Sequence, residues 1–222
     1  MIIIENIKKY ISTLDVPDYP NSSIEEKAFN KGIKSIIGID EVGRGTIAGP
    51  VVSASVKLSK GLIMGNPMKF NDSKKLSETE RVRLFNEIVY SRSEFSIGIA
   101  THTEIDMYGI LESTKLSMKR SISNLKTNID LILIDAINLD IPHNNVGFNK
   151  ADTISVSVAA ASIIAKVSRD TMMSRIYENL FPGYYFKDNK GYGSKVHIDS
   201  LNSKGATKIH RKSFSPINKM EL

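Results

Sequence analysis

IIGIDEVGRG, residues 36–45, places two adjacent carboxylates directly after a short apolar run and directly before a glycine-rich turn. The apolar run predicts a buried strand that delivers Asp40 and Glu41 to an edge of a sheet. Adjacent acids repel each other unless a cation holds them, and hard divalent metals are the natural partner. Arg44 adds a donor fork suited to phosphate or ribose oxygens, and the glycines allow another backbone to approach. The stretch therefore indicates phosphodiester chemistry.

Two further acids stand in similar places along the chain. Asp135 ends the apolar run of residues 131–134, and Asp152 precedes an alanine-rich helical segment. Any one acid could be a helix cap or a strand-end turn, and for Asp152 alone that interpretation is equally good. Because α/β sheets gather such ends around one crevice, the four acids together indicate a common pocket. Their mutual repulsion predicts one or two divalent ions between them.

The composition is that of a folded domain with a mild excess of positive charge. The chain has 222 residues, 41% of them hydrophobic, and 30 basic against 24 acidic residues give a net charge of +6. That excess fits a polyanionic partner, although an ordinary solvated surface explains it equally well. The absence of cysteine excludes disulfides and thiolate metal sites and fits a reducing cytosol. With no secretory signal and no long apolar stretch, a soluble cytoplasmic protein is expected.

Hydrophobic periodicity predicts one α/β domain preceded by a short extension. Residues 1–33 predict an amphipathic helix, a break at Pro17 and Pro20, and a second helix starting near Ser22 or Ser23. Strands are predicted over 36–39, 51–57, 95–101 and 131–134. Helices are predicted from a capping box at 77–80 to about 90, around 111–125, and from 157 to about 179. The tail from 184 is polar and basic.

Several other motifs have both a functional and an ordinary interpretation. Ser73, Lys74 and Lys75 lie just ahead of a predicted helix start, where phosphate would bind, but a solvated turn has the same composition. Tyr192 stands between glycines, which would expose its ring for stacking on a sugar or base, although it could be a simple surface aromatic. His197 and His210 favour structural roles. Residues 43–48 match a loose dinucleotide-binding pattern, which we disfavour because two acids stand where pyrophosphate would approach.

Seven motifs, in order from about residue 34 to 216, resemble those of bacterial ribonuclease HII. They are Asp40-Glu41-Val42-Gly43-Arg44-Gly45, Asp72-Ser73-Lys74-Lys75-Leu76, Asp135-Ala136, Lys150-Ala151-Asp152, the stretch 159–170, Gly191-Tyr192-Gly193-Ser194-Lys195 and Ile209-His210-Arg211. The family commonly has proline and leucine where Thr46 and Ile47 stand, and glycine where Ala136 stands. The sister family, ribonuclease HIII, usually has Gly-Lys-Gly at 43–45, so this chain sides with type II.

The resemblance implies a ribonuclease H-like fold over 34–222, with a mixed central sheet flanked by helices and a helical C-terminal region. It implies that Asp40, Glu41, Asp135 and Asp152 bind two Mg²⁺ or Mn²⁺ ions. It also assigns substrate binding to Gly43, Arg44, Gly45, Ser73, Lys74, Lys75 and Tyr192, with the turn backbone and the tyrosine recognising the 2′-hydroxyl.

The implied activity is hydrolysis of the RNA strand of RNA–DNA hybrids and incision 5′ of ribonucleotides embedded in duplex DNA. Products would carry 5′-phosphate and 3′-hydroxyl ends, activity would rise with pH as the acids ionise, and the enzyme would act as a monomer. Two alternatives stay open, a nucleic-acid-binding module of the same fold without catalysis and a DNA-resolving or integrase-like nuclease.

Overall fold

The apolar runs pair into one mixed sheet in the computed structural model, which describes residues 2–65, 70, 73 and 76–220. Its strands are β1 (Ile36–Val42), β2 (Val51–Lys57), β3 (Glu94–Ala100), β4 (Leu131–Asp135) and β5 (Asn145–Phe148). They lie in the order β3-β2-β1-β4-β5. Antiparallel pairing joins β3, β2 and β1, whereas β1, β4 and β5 are parallel. The mixed sheet of the predicted fold class is confirmed.

Helices cover both faces of this sheet and form most of the C-terminal third. They are α1 (Ile2–Ile11), α2 (Ser23–Asn30), α3 (Lys60–Met64), α4 (Glu78–Tyr90), α5 (His102–Ser123), α6 (Ala151–Ile154), α7 (Val156–Thr171), a π-helix (Met172–Tyr177), α8 (Glu178–Leu180), α9 (Phe186–Asn189), α10 (Lys195–Lys204) and a 3₁₀ turn (Ile217–Lys219). Ser77 and Glu80 form the predicted capping box of α4. No helix in the described parts of the chain has the length and apolar character needed to cross a membrane.

Helix α5 packs on one face of the sheet, and α7, α4 and the N-terminal helices pack on the other. Ile37, Ile39 and Ile134 point toward α5, where they meet Met118 and Ile122. On the opposite face, α1 and α2 bury apolar side chains against β1, β4 and α7. Residues 1–33 are therefore part of the packed structure rather than a detached arm.

Three features of the fold were not predicted from the sequence. Strand β5 was missed because it has only four residues and little hydrophobic alternation. Helix α5 begins at His102, nine residues before the predicted stretch, and bends at Gly109, whose φ is 77°. The long helix predicted from 157 becomes π-helical at Met172. The π-helical turn places Met173 against Gly49 and Gly191, where the sulfur and methyl contacts need both glycines.

Candidate active site

The strand register brings Asp40 and Asp135 to the same face of neighbouring strands. Ile39 of β1 lies beside Ile134 of β4, so the two acids occupy the next position on each strand. The strands are parallel, and side chains along a strand alternate between faces. Their carboxylates therefore share the face that α7 covers.

The start of α7 brings Asp152 to this edge because Gly38 lets the helix approach β1. A Cβ at Gly38 would lie 2.1 Å from the carbonyl oxygen of Ser157. Asp152 lies in the short α6 just before this contact and is buried. The backbone N–H of its neighbour Ala151 donates a hydrogen bond to Asp135 Oδ1 at 2.8 Å. This bond fastens the α6 turn to the end of β4.

The four acids interact electrostatically, as the ionisation of Asp40 shows. Burial raises the pKa of Asp40 well above its usual value, and the charges of Glu41, Asp135 and Asp152 raise it further. The hydrogen bond that Asp40 Oδ1 accepts from the Glu41 N–H, at 2.8 Å, acts in the opposite direction. The pocket therefore strongly favours a bound positive charge.

The donor set suits a hard divalent cation. In the described ranges, no three acidic or imidazole side chains already stand in a ready-made metal-binding arrangement. The chemistry nonetheless fits, because all four groups offer carboxylate oxygens and a cation would relieve the repulsion that raises the Asp40 pKa. Arg44 forms a partial counterion, with Nη1 3.2 Å from Glu41 Oε1.

Ala136, directly after Asp135, has a left-handed backbone conformation. Its φ is 52°, a region in which an L-residue costs about 1–2 kcal/mol. This is the position where the resembled family commonly has glycine. The strained residue directly follows Asp135. Its own backbone N–H donates a hydrogen bond to the Phe148 carbonyl at 3.0 Å.

We expect Ala136→Gly to raise the free energy of unfolding by roughly 0.5–1 kcal/mol, because relief of the left-handed strain exceeds the added entropy of the unfolded chain. Urea unfolding without added metal measures the change. Ala136→Ser is the matched control and should give no gain, since serine keeps the Cβ. Equal stability of the glycine and serine variants would contradict this explanation.

The glycine-rich turn after β1 has two glycines with different roles. Gly43 is buried with φ 93°, and a Cβ there would lie 2.3 Å from Arg169 Nε. Gly45 is exposed, and a Cβ there would meet nothing within 4 Å. Gly43 therefore lets Arg169 pack beneath the turn, while Gly45 leaves space on the outer side for a ligand backbone.

Two fully buried arginines hold this turn from below. Arg211 donates through Nη2 to the Gly43 carbonyl at 2.6 Å and through Nη1 to the Arg44 carbonyl at 2.9 Å. Arg169 donates to Thr46 Oγ1 at 2.9 Å and to the carbonyl of Lys190 at 2.8 Å. Burial lowers the pKa of Arg169 to about 10 and that of Arg211 to about 9, so both are charged at neutral pH.

This role was not predicted from the sequence for either arginine. A helical signal did exist for Arg169, which lies four residues after buried Ala165 and hence on the buried side of α7. No comparable signal marks Arg211, whose acceptors lie more than 160 residues away in the sequence.

Tyr192 lies beside the turn with its ring partly exposed. The residue is 42% exposed, and its phenol interacts electrostatically with both Arg169 and Arg211. The preceding Gly191 carbonyl accepts from the Ile47 N–H at 2.9 Å. The structure thus brings the Tyr192 loop and the loop after β1 together.

The third predicted substrate-binding group is only partly covered by the structure. Ser73 is buried, and its hydroxyl lies 2.6 Å from that of Ser162 on α7. Its carbonyl accepts from Arg81 Nη1 at 2.8 Å. Lys74 and Lys75 lie outside the described residues.

The mixed sheet and its carboxylate edge define a nuclease of the ribonuclease H-like class. The family model described as Ribonuclease HII matches residues 37–217. Ribonuclease HII of Enterococcus faecalis (strain ATCC 700802 / V583) is 47% identical over 199 residues, which cover 90% of this chain and 76% of that protein. Ribonuclease HII of Listeria innocua serovar 6a is 44% identical over 89% of this chain and 74% of its own length. The chain belongs to the ribonuclease HII family and is an endonuclease with ribonuclease H activity.

Solved structures agree with the fold. A PCNA:RNase HII complex from Archaeoglobus fulgidus contains a chain with TM-score 0.67 and 28% identity, covering 82% of this chain and 95% of that one. Bst-RNase HIII in complex with Mn²⁺ has TM-score 0.59 and 21% identity, covering 83% and 68% respectively, and supports the fold alone. The sequence-based preference for type II over type III is confirmed by the family match.

Proposed function

We propose that this enzyme hydrolyses the RNA strand of RNA–DNA hybrids and incises duplex DNA on the 5′ side of an embedded ribonucleotide. It would leave 5′-phosphate and 3′-hydroxyl ends. The observation that carries the proposal is the electrostatic coupling of Asp40 with Glu41, Asp135 and Asp152 beside an open glycine turn. Such a pocket suits a phosphodiester held at a metal site, with water as the nucleophile.

We infer that Asp40, Glu41, Asp135 and Asp152 hold Mg²⁺ or Mn²⁺, in a site for two ions. When bound, such ions activate water and neutralise charge on the scissile phosphate and the departing oxygen. The backbone N–H groups of Glu41 and Ala151 orient the carboxylates of Asp40 and Asp135. All four groups are carboxylates, and such hard divalent ions prefer oxygen ligands.

Recognition of the ribonucleotide is proposed to use the Gly43-Arg44-Gly45 backbone and the Tyr192 ring. Only the 2′-hydroxyl distinguishes the two sugars, and it needs polar groups at close range. The open space at Gly45 allows that approach, and the adjacent Tyr192 ring could pack on the neighbouring deoxyribose. Ser73, Lys74 and Lys75 are proposed to bind the phosphate backbone of the duplex.

The proposed function is tested with a labelled DNA duplex that contains one ribonucleotide. We expect a single cut 5′ of the ribonucleotide in Mg²⁺ or Mn²⁺ and none in EDTA. The all-DNA duplex should stay intact, and a long RNA–DNA hybrid should be cut in its RNA strand. Binding without cleavage would favour the non-catalytic alternative, and comparable nicking of all-DNA duplex would favour a general nuclease.

Lys74→Ala combined with Lys75→Ala should weaken duplex binding and flatten its salt dependence. Each phosphate contact releases counterions, so the slope of log affinity against log salt is proportional to the number of contacts. Loss of both lysines should reduce this slope by the amount expected for up to about two contacts. Fluorescence anisotropy of a labelled duplex over a range of KCl concentrations gives this slope. Lys126→Ala with Lys119→Ala is the charge-matched control. An unchanged slope in the Lys74 and Lys75 variant would show that these residues do not bind phosphate and belong to an ordinary solvated turn.

We propose that residues 1–33 form an extension of a catalytic domain spanning 34–222, and that the extension supports the Asp152 turn. Glu25 of α2 is buried, and its Oε1 accepts from Ser155 Oγ at 2.5 Å and from the Ser157 N–H at 3.0 Å. The backbone of Asn21 also bridges to Ser155, at the junction of α6 and α7. These contacts fasten the segment that follows Asp152.

Glu25→Ala should lower the free energy of unfolding by about 1–3 kcal/mol, because the buried Ser155 hydroxyl and Ser157 N–H lose their acceptor. Chemical unfolding measures this loss. Glu5→Ala is the matched control, since Glu5 is exposed in α1, where it forms an ion pair with Lys8 at 3.2 Å. If both variants unfold at the same denaturant concentration as the wild type, the extension does not support this turn through Glu25.

We propose a cytoplasmic location, where chromosomal DNA would supply the substrate. We propose a monomer, which size-exclusion chromatography with light scattering would test. A mass near twice that of one chain would overturn this part of the proposal.

A further inference from the structure

Two buried histidines form a hydrogen-bonded pair directly behind the Tyr192 loop. His197 of α10 and His210 approach with their Nε2 atoms 3.0 Å apart. His197 Nδ1 lies 2.8 Å from the Tyr192 carbonyl oxygen, and His210 Nδ1 lies 2.9 Å from the Thr207 N–H nitrogen. All four ring nitrogens therefore have a partner. They form one continuous line of hydrogen bonds that runs from Thr207 through His210 and His197 to Tyr192.

The partners at the two ends determine where the protons lie. The Thr207 N–H can only donate, so His210 Nδ1 accepts and the neutral ring carries its proton on Nε2. His210 Nε2–H then donates to His197 Nε2, which leaves the His197 proton on Nδ1. That proton is donated to the Tyr192 carbonyl, which can only accept. Only this tautomer of each ring satisfies the whole line.

We propose that the His197–His210 pair is a positioning device that sets the backbone of Tyr192, and with it the ring that recognises the ribonucleotide. This inference rests on the proposed function of Tyr192. The Tyr192 carbonyl also accepts from the Ser194 N–H at 2.8 Å, so two donors fix the same peptide group. The backbone of Tyr192 sets the direction of its Cα–Cβ bond, and with it the positions that the partly exposed ring can reach.

The surroundings keep both rings neutral at neutral pH. The aromatic rings of Tyr184 and Phe186 pack against both histidines, with centroids 5.2–6.4 Å away. Burial lowers the pKa of His197. Burial, together with repulsion from His197 and His102 when those rings are protonated, lowers the pKa of His210 to about 4. A second proton on His197 would lie on Nε2, facing the His210 Nε2–H, and would break the hydrogen bond between the two rings. The device is therefore intact across the pH range in which the enzyme would be assayed.

Two substitutions of His197 separate positioning from packing. In His197→Asn the amide nitrogen stands on Cγ, as Nδ1 does, so it can still donate to the Tyr192 carbonyl. In His197→Gln the amide reaches toward His210 Nε2 and leaves that carbonyl without its second donor. We expect His197→Gln to slow cleavage at an embedded ribonucleotide by about tenfold, and His197→Asn by no more than about threefold, as loss or retention of one hydrogen bond implies.

A double-mutant cycle with Tyr192→Ala shows whether His197 acts through Tyr192. In the Tyr192→Ala background, His197→Gln should slow cleavage by less than about twofold, because the ring that it positions is absent. The Mg²⁺ concentration for half-maximal rate should stay unchanged in every His197 variant. His143→Gln, at the opposite end of β5 from the acids, is the control and should cleave at the wild-type rate.

A measurement on the wild-type protein keeps the inference testable if a variant does not fold. Nitrogen-15 NMR of histidine-labelled protein at pH 7.5 should show His197 protonated on Nδ1 and His210 protonated on Nε2. The opposite tautomers, equal rates for His197→Gln and His197→Asn, or a full tenfold loss in the Tyr192→Ala background would overturn the inference. Failure of the proposed function looks different, since Tyr192→Ala itself would then cut as fast as the wild type.

Discussion

Asp135→Asn should reduce cleavage of an embedded ribonucleotide by at least about a hundredfold, while duplex binding survives. The substitution keeps the shape of the side chain and removes a charge that would hold a metal ion. The amide oxygen can still accept from the Ala151 N–H, so the α6 turn should stay in place. Single-turnover cleavage at saturating Mg²⁺ measures the rate, and anisotropy of the same duplex in Ca²⁺ or EDTA measures binding.

Asp140→Asn is the matched control for this loss. Asp140 is exposed in the loop after β4, so its neutralisation changes the net charge equally without touching the pocket. It should cleave at the wild-type rate. Near wild-type cleavage by Asp135→Asn would show that Asp135 is not one of the metal-binding acids.

Tyr192→Ala should slow incision at a lone ribonucleotide by roughly tenfold to a hundredfold, through poorer alignment of the scissile phosphate. Stacking of an aromatic ring on a base is worth about 1–3 kcal/mol, and we expect a loss on this scale for a ring that packs on the sugar. Tyr192 is not one of the four acids, and its phenol interacts electrostatically with the two buried arginines, so metal binding should not change. Rates on the single-ribonucleotide duplex, over a Mg²⁺ titration, separate alignment from metal loss.

Tyr19→Ala provides the control of similar exposure, since Tyr19 is 47% exposed and Tyr192 is 42% exposed. Tyr19 lies in the N-terminal extension, outside the region matched by the family model. It should cut at the wild-type rate. If Tyr192→Ala also does so, recognition of the ribonucleotide does not depend on this ring.

The carboxylate edge shows how much of the site the local sequence pattern could predict. Asp40, Glu41 and Asp135 end apolar runs, and the strands predicted there are β1 and β4 of the sheet. The pattern could not supply the register that sets Ile39 beside Ile134, which places two acids on one face. It also could not show that Gly38 is the point at which α7 touches β1. Register and helix approach depend on residues far apart in the chain.

The polar residues of the C-terminal half show where local pattern failed. His197 and His210 have the structural roles that the sequence favoured, and both are buried, but the sequence did not show what they contact. Arg169 and Arg211 are buried as well, although their charge alone suggests an exposed position. Their hydrogen-bonding partners lie elsewhere in the chain, so helical periodicity can place Arg169 on the buried side of α7 but cannot show what it binds. Buried cations and imidazoles are stable only where several acceptors converge, and that convergence is a property of the folded chain.

What the sequence by itself determined is the class of the protein: a mixed α/β sheet, the residues at its acidic edge, and the family to which the motifs belong. These follow from short-range pattern, because strands, helix caps and motifs each depend on a few neighbouring residues. The tertiary structure alone decided how the turn at Gly43 and the loop at Tyr192 are held, by Arg169, Arg211 and the two histidines. The physical reason is that a buried polar side chain takes its role from the donors and acceptors that the fold brings to it.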